Sequence, residues 1–358
     1  MYKRQVWGDR VVTEGSLKHC LMEVRAAIGD DQRKLIRTVP RRGYMLEAPV
    51  SREMLEADKR TSILVAPLED QGIDGNGDYI ADGLTEEIIT ELSKVRSLRV
   101  IARASAMRLK GAGDALQEIA NGLGVDFILD GSVRRWGDKL RVVLQLRRLD
   151  SDDARWGEHY EGTLGDLFEI QDEIATSVAK ELAAHLGARV PSNGHDIEDA
   201  RAVEAYLRAR YEMLKFSKEG LQQAERHLVN GLDLVGPNTR LLGALGRAYA
   251  MHSEIGLDPT GEFTARAAEC AESIFELDPD SPNGYMLLGM VRFHKGELRA
   301  AREPFERSLH TNPTDPDALG MLGYVCALSG QSERAAQLFD QCLDVDPLTP
   351  LNHLSLIH

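Results

Sequence analysis

Residues 281–314, SPNGYMLLGMVRFHKGELRAAREPFERSLHTNPT, and residues 315–348, DPDALGMLGYVCALSGQSERAAQLFDQCLDVDPL, carry similar residue types at matching positions. The matches recur every 34 residues, a period typical of stacked helical repeats. The recurring residues are Pro279, Pro313 and Pro347, Ala267, Ala301 and Ala335, Ala271, Phe305 and Phe339, and the pairs Leu288-Gly289 and Leu322-Gly323. The period predicts pairs of helices that bury a core by stacking on their neighbours.

The residue types of this period suit two closely packed antiparallel helices. Gly289 and Ala301 are small enough for the two backbones to approach each other. Phe305 is expected to fill the seam between the helices, and Pro313 to end the second helix. The carboxy-terminal part of the chain is therefore predicted to be all-α.

These features resemble the tetratricopeptide repeat, and the resemblance covers residues 188–353 with about four repeats. Such superhelices bind a peptide or a partner domain in a groove lined by the first helix of each pair. The resemblance places six residues in this groove: Asn283, Met286, Met290, Phe293, Asp317 and Tyr324. Methionine and aromatic side chains suit an adaptable protein contact. Alternatively, Met286 and Phe293 pack between repeats, and self-association into a homo-oligomer is also open.

Residues 61–187 carry a different pattern, in which strands alternate with helices. Helices are predicted at Tyr79–Val95, Asp114–Leu123 and Gly165–Leu186, and strands at Ser62–Pro67, Leu98–Ala102, Val125–Val133, Lys139–Leu149 and Trp156–Thr163. Lys139–Leu149 alternates strictly between apolar and polar residues, as a half-buried strand does. The pattern predicts a mixed α/β domain that ends in a meander. The basic face at Lys139, Arg141 and Arg147 is most simply solvated, with a second DNA contact as the alternative.

Four segments within residues 61–187 resemble the TolB amino-terminal-like domain of bacterial regulators and some cyclases. They are SILVAPLED, YIADGLTEEIITELSKVRSLRVIAR, NGLGVDFILDGSVRRWGDKLRVVLQL and DLFEIQDEIA. The resemblance implies partner contact or sensing, and it brings no catalytic residues.

The stretch Val11–Tyr44, VVTEGSLKHCLMEVRAAIGDDQRKLIRTVPRRGY, indicates a helix followed by a basic hairpin. The helix would carry one apolar stripe, formed by Leu17, Leu21, Val24 and Ile28. Strands are predicted at Leu35–Val39 and Tyr44–Glu47, on either side of a turn with two arginines. A helix with one polar face and a basic hairpin tip would suit the grooves and phosphates of DNA.

The run VVTEGSLKHCLMEVRAAIGDD followed by IRTVPRRGY resembles the winged-helix effector domain of OmpR/PhoB/CadC-like transcription factors, a phosphorelay-type effector domain. The resemblance implies double-stranded DNA as a partner. It assigns contacts to seven residues: Ser16, Lys18, His19, Glu23 and Arg25 from the helix, and Arg41 and Arg42 from the wing. The alternative is an amphipathic helix and a polar hairpin with no nucleic-acid role.

Charge is distributed unevenly along the chain. Residues 1–50 hold ten Lys and Arg against six Asp and Glu, whereas the whole chain has a net charge of −14. A basic end on an acidic body directs any DNA contact to the amino terminus. Residues 51–60, SREMLEADKR, form the expected linker, and no apolar run approaches the roughly 18–20 residues of a membrane helix. We therefore expect a cytoplasmic protein without membrane contact.

Both ends of the sequence suggest a fragment. Winged-helix domains carry several strands and a helix before the recognition helix, so residues 1–50 would be only the carboxy-terminal half of one. Residues 1–5 and 354–358 can be encoded by the same short DNA on opposite strands, which resembles a transposon-derived sequencing adapter. Our hypothesis is that these two tails are adapter artefacts. About 45 residues with one helix and one hairpin could not bury a core of their own.

No pattern in the sequence indicates an enzyme. Residues 72–77, GIDGNG, do not fit a phosphate-binding loop. Asp74, Asn76 and Asp78 alternate as in a calcium loop, but Tyr79 and Thr85 occupy the positions that need glycine and glutamate. The four cysteines lack metal-ligand spacing, and no catalytic constellation recurs. We therefore expect no cofactor, no metal and no catalytic residue. The sequence predicts an α+β multidomain regulator, with a non-catalytic signalling scaffold, for instance cyclase-associated and without a working DNA-binding domain, as the alternative.

Overall fold

The computed structural model describes most of the chain. The described residues are 25, 36–39, 43–46, 60–72, 77–95, 97–113, 115–149, 154–183 and 197–349. The chain divides into two compact units, Met1–Lys59 and Arg60–Leu356.

The described part of the first unit contains a two-stranded hairpin. Strand β1 (Ile36–Val39) pairs antiparallel with strand β2 (Gly43–Leu46). The strands predicted at Leu35–Val39 and Tyr44–Glu47 differ from these by one residue at their ends. The predicted hairpin is confirmed, while the winged helix around it stays a prediction.

The second unit begins with an α/β part and continues with paired helices. Its strands are β3 (Thr61–Val65), β4 (Glu69–Asp70), β5 (Leu98–Val100), β6 (Phe127–Trp136), β7 (Lys139–Arg148) and β8 (Ala154–Thr163). The helices of the α/β part are α1 (Asp78–Ser93), α2 (Arg103–Met107), α3 (Ala115–Gly122) and α4 (Leu167–Ala183). The paired helices are α5 (Ala200–Met213) with α6 (Lys218–Val235), α7 (Thr239–Glu254) with α8 (Glu262–Leu277), α9 (Pro282–His294) with α10 (Leu298–Thr311), and α11 (Pro316–Leu328) with α12 (Ser332–Val345).

The strands of the second unit form one mixed sheet in the order β5-β3-β6-β7-β8, with β4 also paired to β6. Strand β3 runs parallel to β5 and β6, whereas β6, β7 and β8 form an antiparallel meander. The alternation along β7 buries Leu140, Val142, Leu144 and Leu146 and leaves Lys139 and Arg141 exposed. The predicted mixed architecture with a final meander is confirmed.

The helix after β8 begins later than its prediction at Gly165–Leu186. A 3-10 turn at Leu164–Asp166 precedes α4. The Asp166 carboxylate accepts hydrogen bonds from the Thr163 backbone N–H at 2.7 Å and from the Thr163 hydroxyl at 2.8 Å. This capping box tightens the first turn, so local hydrogen bonding rather than apolar periodicity fixes where the helix starts. Residues 184–186 lie outside the described part.

The eight paired helices of the described residues pack as four antiparallel pairs. A Cβ atom added at Gly289 of α9 would lie 2.6 Å from the ring of Phe305 of α10. A Cβ atom at Gly323 of α11 would lie 2.5 Å from the ring of Phe339 of α12. We call these two contacts the repeat seams. They confirm that glycine permits the close approach of the helices and that phenylalanine fills the space between them.

The α/β part and the paired helices share one core. Helix α5 packs along α1, and buried residues from both parts belong to one continuous hydrophobic cluster. The predicted boundary between domains 61–187 and 188–353 falls among residues 184–196, outside the described part. That boundary stays a prediction, but the described elements on its two sides form one compact unit.

Candidate functional site: the inner face of the repeats

The first helix of each pair contributes to one surface of the repeats. Helices α5, α7, α9 and α11 lie side by side, and we call the surface that they form the inner face. Helix α1 of the α/β part lies against this face: a Cβ atom added at Gly83 would be 2.5 Å from the Leu207 side chain of α5. We call this contact the α1 interface. With the sheet on its other side, α1 has most of its residues buried.

Glu87 is the centre of the first polar contact of the α1 interface. Its carboxylate accepts hydrogen bonds from the Tyr206 hydroxyl at 2.8 Å and from Arg240 Nη1 at 2.5 Å. The Arg240 guanidinium also lies 4.2 Å from the centroid of the Phe168 ring. Burial, together with the Glu87 charge, raises the pKa of Tyr206, so this hydroxyl remains a donor. Helices α5 and α7 thus hold one carboxylate of α1 between them.

Glu86 makes the second contact with the inner face. Arg210 of α5 contacts its Oε1, and Arg103 Nε lies 3.0 Å from its Oε2. Burial lowers the pKa of Arg210 to about 10, which still leaves this side chain charged at neutral pH. Charges removed from water in this way need a partner, because an unpaired buried ion costs several kcal/mol.

Tyr79 marks the amino-terminal end of the same helix face. Its hydroxyl donates to Glu204 Oε1 of α5 at 2.9 Å and accepts from Arg135 Nη1 at 2.7 Å. The Arg208 guanidinium lies 4.3 Å from the centroid of the Tyr79 ring. Burial is the main cause that raises the pKa of Tyr79 to about 12, with the Glu204 carboxylate adding to it. These contacts extend the α1 interface by one further turn.

The last repeat makes a second contact with the α/β part. The Ala102 backbone N–H donates to the Val345 carbonyl at 2.6 Å, which joins the end of α12 to the chain that follows β5. The Ser105 hydroxyl donates to Asp346 Oδ1 at 2.6 Å, and its oxygen accepts from the Leu348 backbone N–H at 2.8 Å. We call this group of contacts the carboxy-terminal clasp. The first and the last repeat therefore both contact the α/β part.

The electrostatics of the α1 interface are complementary. The inner face supplies Arg210 and Arg240, and α1 supplies Glu86 and Glu87. Arg247 pairs with Glu254 at 2.5 Å on its own helix. An arrangement of this kind can recognise the charge and shape of a helix, because each side chain contributes a directed, charge-assisted hydrogen bond.

Three of the six residues predicted for the groove lie beside the first helices. Asn283 is exposed, and its Cβ lies 3.6 Å from a Cβ atom added at Gly243 of α7. Asp317 is exposed and lies 4.0 Å from Arg247 Nη2. Met290 is fully buried, and its Sδ lies 3.3 Å from Arg247 Nη1.

The other three predicted groove residues pack within the repeats. Met286 and Phe293 are half-buried against the core, and Phe293 also meets the His294 ring edge-on. Tyr324 packs edge-on against the Phe339 ring of the repeat seam, 5.3 Å between centroids. For these side chains the packing alternative agrees with the contacts, although a role in binding stays a prediction.

Sequence reasoning missed the acidic face of α1 and the arginines that contact it. The prediction gave this helix the range Tyr79–Val95 and assigned no contact to its acidic face. At about 100° per residue, Tyr79, Gly83, Glu86 and Glu87 share a second face. A glycine within a helix costs stability, so Gly83 was a signal for a close neighbour on that face.

Six of the seven predicted DNA contacts fall outside the described residues: Ser16, Lys18, His19, Glu23, Arg41 and Arg42. The seventh, Arg25, is helical and half-buried. Arg41 and Arg42 lie between β1 and β2 in the sequence. DNA binding therefore stays a prediction.

The described residues contain neither a group of side chains suited to a metal ion nor a helix suited to cross a membrane. Among them, no group of three or more His, Cys, Asp or Glu side chains is placed to hold a metal ion. No helix in the described ranges combines the length and the hydropathy that crossing a membrane requires.

The carboxy-terminal part matches the tetratricopeptide repeat family at residues 261–316 and 296–350. The helix pairs of the described structure agree with this match. The protein is thus an α/β part followed by tetratricopeptide-type repeats.

Two curated relatives are similar over longer stretches. A Rhizobium meliloti protein named "Putative adenylate cyclase 3" is 31% identical over 244 residues, which cover 65% of this chain and 40% of the relative. "Transcriptional regulator HilA" of Salmonella typhimurium is 24% identical over 299 residues, which cover 80% of this chain and 52% of the relative. The chain thus spans about half the length of the curated relatives it matches. Both alignments are longer than the repeat helices alone, so the similarity extends into the part before α5.

Solved structures with similar features are repeat proteins. TTC0263 of Thermus thermophilus, a thermophilic tetratricopeptide-repeat protein, is 20% identical with a TM-score of 0.35, covering 42% of this chain and 79% of that chain. MamA is 24% identical with a TM-score of 0.31, covering 40% of this chain and 80% of that chain.

Proposed function

We propose that this chain belongs to a DNA-binding transcriptional regulator, in which the winged helix reads DNA and the second unit binds a protein partner. The observation that carries the proposal is the similarity to a transcriptional regulator over 80% of the chain. The basic charge of residues 1–50 and the hairpin at β1 and β2 add support. DNA contacts are assigned to Ser16, Lys18, His19, Glu23, Arg25, Arg41 and Arg42.

In this proposal the second unit has no catalytic role. Its most extensive polar arrangement, the α1 interface, consists of ion pairs and hydrogen bonds that hold two elements together. Tetratricopeptide-type repeats support contact with a peptide or protein. The unit would therefore report the presence of a partner to the DNA-reading part.

DNA binding is tested by titrating labelled duplex promoter DNA, at several salt concentrations, with the protein as its source locus encodes it. We expect log K to fall linearly with log salt, because binding releases counterions from the phosphates. The variant Arg41→Ala/Arg42→Ala should reduce the magnitude of that slope by about 2. The control Arg226→Ala/Arg299→Ala removes two exposed arginines from the repeats and should leave the slope unchanged.

A non-catalytic scaffold is the second candidate, and the similarity to the cyclase relative favours it. A segment shared by a regulator and a cyclase could be an interaction module that serves different outputs. DNA binding that shows no preference for promoter sequence, and that is identical in wild type and Arg41→Ala/Arg42→Ala, would support the scaffold over the regulator.

A further inference from the structure

Part of the inner face of the repeats, where a partner is expected, is already covered by α1, which lies against α5 and contacts Arg240 of α7. We propose that the inner face is a binding site for an acidic helix, that α1 fills it in the closed form of the protein, and that a partner helix of the same chemistry replaces α1. This inference rests on the proposed protein-binding role of the repeats, and it adds the chemistry of the partner and the mode of control.

Charge complementarity defines the occupant. Glu86 and Glu87 are both almost fully buried, and each meets an arginine of the inner face, Arg210 or Arg240. A basic or apolar helix in the same place would leave these two arginines buried without a counter-charge. The free inner face should therefore select a helix with two adjacent carboxylates.

The fit between backbones adds a second requirement. Gly83 lies three residues before Glu86, and its missing side chain leaves room for Leu207 of α5. Tyr79, one turn earlier, supplies a hydroxyl to Glu204. A partner helix would therefore present a small residue one turn before its acidic pair, with an aromatic hydroxyl a further turn away.

Separation at the α1 interface would expose the part of the shared core that α5 contributes, including Leu207, but it would leave the sheet side of α1 covered. The apolar stripe of α1, with Ile80, Leu84 and Ile88 almost fully buried, faces the sheet and stays there. The side toward the repeats combines ion pairs and hydrogen bonds with apolar packing against Leu207, whereas the carboxy-terminal clasp consists of hydrogen bonds. Polar contacts between two packed parts permit relative motion more readily than a large apolar interface does. Opening would therefore move the repeats away from α1 as a body.

The test uses a labelled peptide of residues 78–93, DYIADGLTEEIITELS, titrated into the full chain by fluorescence anisotropy. Because wild type is mostly closed, its apparent affinity is reduced by the small fraction that is open. The variant Glu86→Gln/Glu87→Gln weakens the closed form but leaves the inner face intact. We expect this variant to bind the peptide at least about tenfold more tightly than wild type does.

Two controls distinguish recognition of the acidic side chains from non-specific peptide binding. A peptide with glutamine at positions 86 and 87 should bind the opened variant at least about tenfold more weakly than the acidic peptide. The protein control Glu219→Gln/Glu272→Gln changes two exposed carboxylates on α6 and α8 and should bind the acidic peptide as wild type does. Equal affinity of wild type and the opened variant overturns the inference, and so does equal binding of the two peptides.

A second variant keeps the test decisive if the first loses its helical circular dichroism. Ser105→Ala removes a hydrogen bond of the carboxy-terminal clasp and changes no residue of the inner face or of α1. It should raise the affinity for the acidic peptide about threefold by favouring the open form. No increase in this variant, when the first is unfolded, overturns the inference.

Failure of the inference is distinguishable from failure of the proposed function. Arg41→Ala/Arg42→Ala should leave peptide binding unchanged, since its defect concerns DNA alone. If the wild type shows no sequence-specific DNA binding but the opened variant gains affinity for the acidic peptide, the regulator is overturned and the inner face remains an acidic-helix site. If DNA binding is normal but the opened variant gains no affinity for the acidic peptide, only the inner-face proposal is overturned.

Discussion

The repeat seams and the α1 interface are both buried contacts between helices, but they are built in opposite ways. At the seams, a phenylalanine ring fills the space left by a glycine, as Phe305 does at Gly289. At the α1 interface, buried carboxylates meet half-buried arginines, as Glu87 meets Arg240. The first contact depends on shape and the second on charge.

This difference separates the contacts that hold the fold from those that set its state. Apolar packing gains free energy by removing surface from water, and it fails when volume is lost. A buried ion pair gains little over apolar side chains of similar size, but breaking it by removing one partner is strongly destabilising. A change of side-chain volume should therefore destabilise the seams. Removal of one charge without its partner should destabilise the α1 interface.

The largest expected effect is loss of the seam ring. Phe305 is fully buried, so Phe305→Ala should lower the free energy of unfolding by about 3–5 kcal/mol through lost burial and the cavity left behind. Urea denaturation followed by circular dichroism at the helix band measures this. Phe216→Ala, at a ring that is 58% exposed, should change it by about 0.5 kcal/mol or less. Equal effects of the two substitutions would contradict the seam as the main source of repeat stability.

Removing one charge from the α1 interface comes next. Glu87→Met leaves Arg240 buried without its carboxylate and should cost about 3 kcal/mol in the same measurement. The double variant Glu87→Met/Arg240→Met replaces the pair by apolar side chains and should lie within about 1 kcal/mol of wild type. Additive losses in the double variant would show that the two side chains act independently, contrary to the structure.

Adding one methyl group at a repeat seam tests how closely its two helices pack. Gly289→Ala puts a Cβ against the Phe305 ring and should destabilise the protein by about 1–3 kcal/mol through overpacking. Gly320→Ala is the matched control, because it lies in helix α11 with no atom within 4 Å of the added Cβ. That substitution should stabilise the protein by about 0.5–1 kcal/mol, since alanine favours the helix. If both substitutions shifted the midpoint of urea denaturation in the same direction, the seam would not be sterically tight.

The seams were predictable from the sequence because they recur. Gly289 with Phe305 and Gly323 with Phe339 show the same residue types at one fixed spacing, and repetition distinguishes such a pattern from chance. The hairpin of β1 and β2 was predictable for a different reason, since a turn between two short strands is a local signal.

The α1 interface was not predictable in the same way. Glu87 and Arg240 are 153 residues apart, occur once, and come from parts whose patterns were interpreted separately. Charged residues on a helix normally indicate a solvated face, so Glu86 and Glu87 carried no sign of burial. Only the packing of α1 between the sheet and the repeats gives these carboxylates their role.

The smallest expected effect is a pH dependence that arises from one hydroxyl of the α1 interface. Burial raises the pKa of Tyr79 to about 12 in the folded protein, against about 10 for an unperturbed tyrosine in the unfolded chain. Between pH 10 and 12 the unfolded chain therefore releases this proton first, and the free energy of unfolding falls as the pH rises. Between pH 9 and 11, wild type should lose on the order of 1 kcal/mol more than Tyr79→Phe does, as measured by urea denaturation. Three other tyrosines also have raised pKa values: Tyr160, Tyr206 and Tyr249. They are present in both proteins, so the difference between the two curves isolates Tyr79. Parallel curves would show that the Tyr79 hydroxyl ionises as readily in the folded protein as in the unfolded chain, and that this end of the α1 interface is open to water.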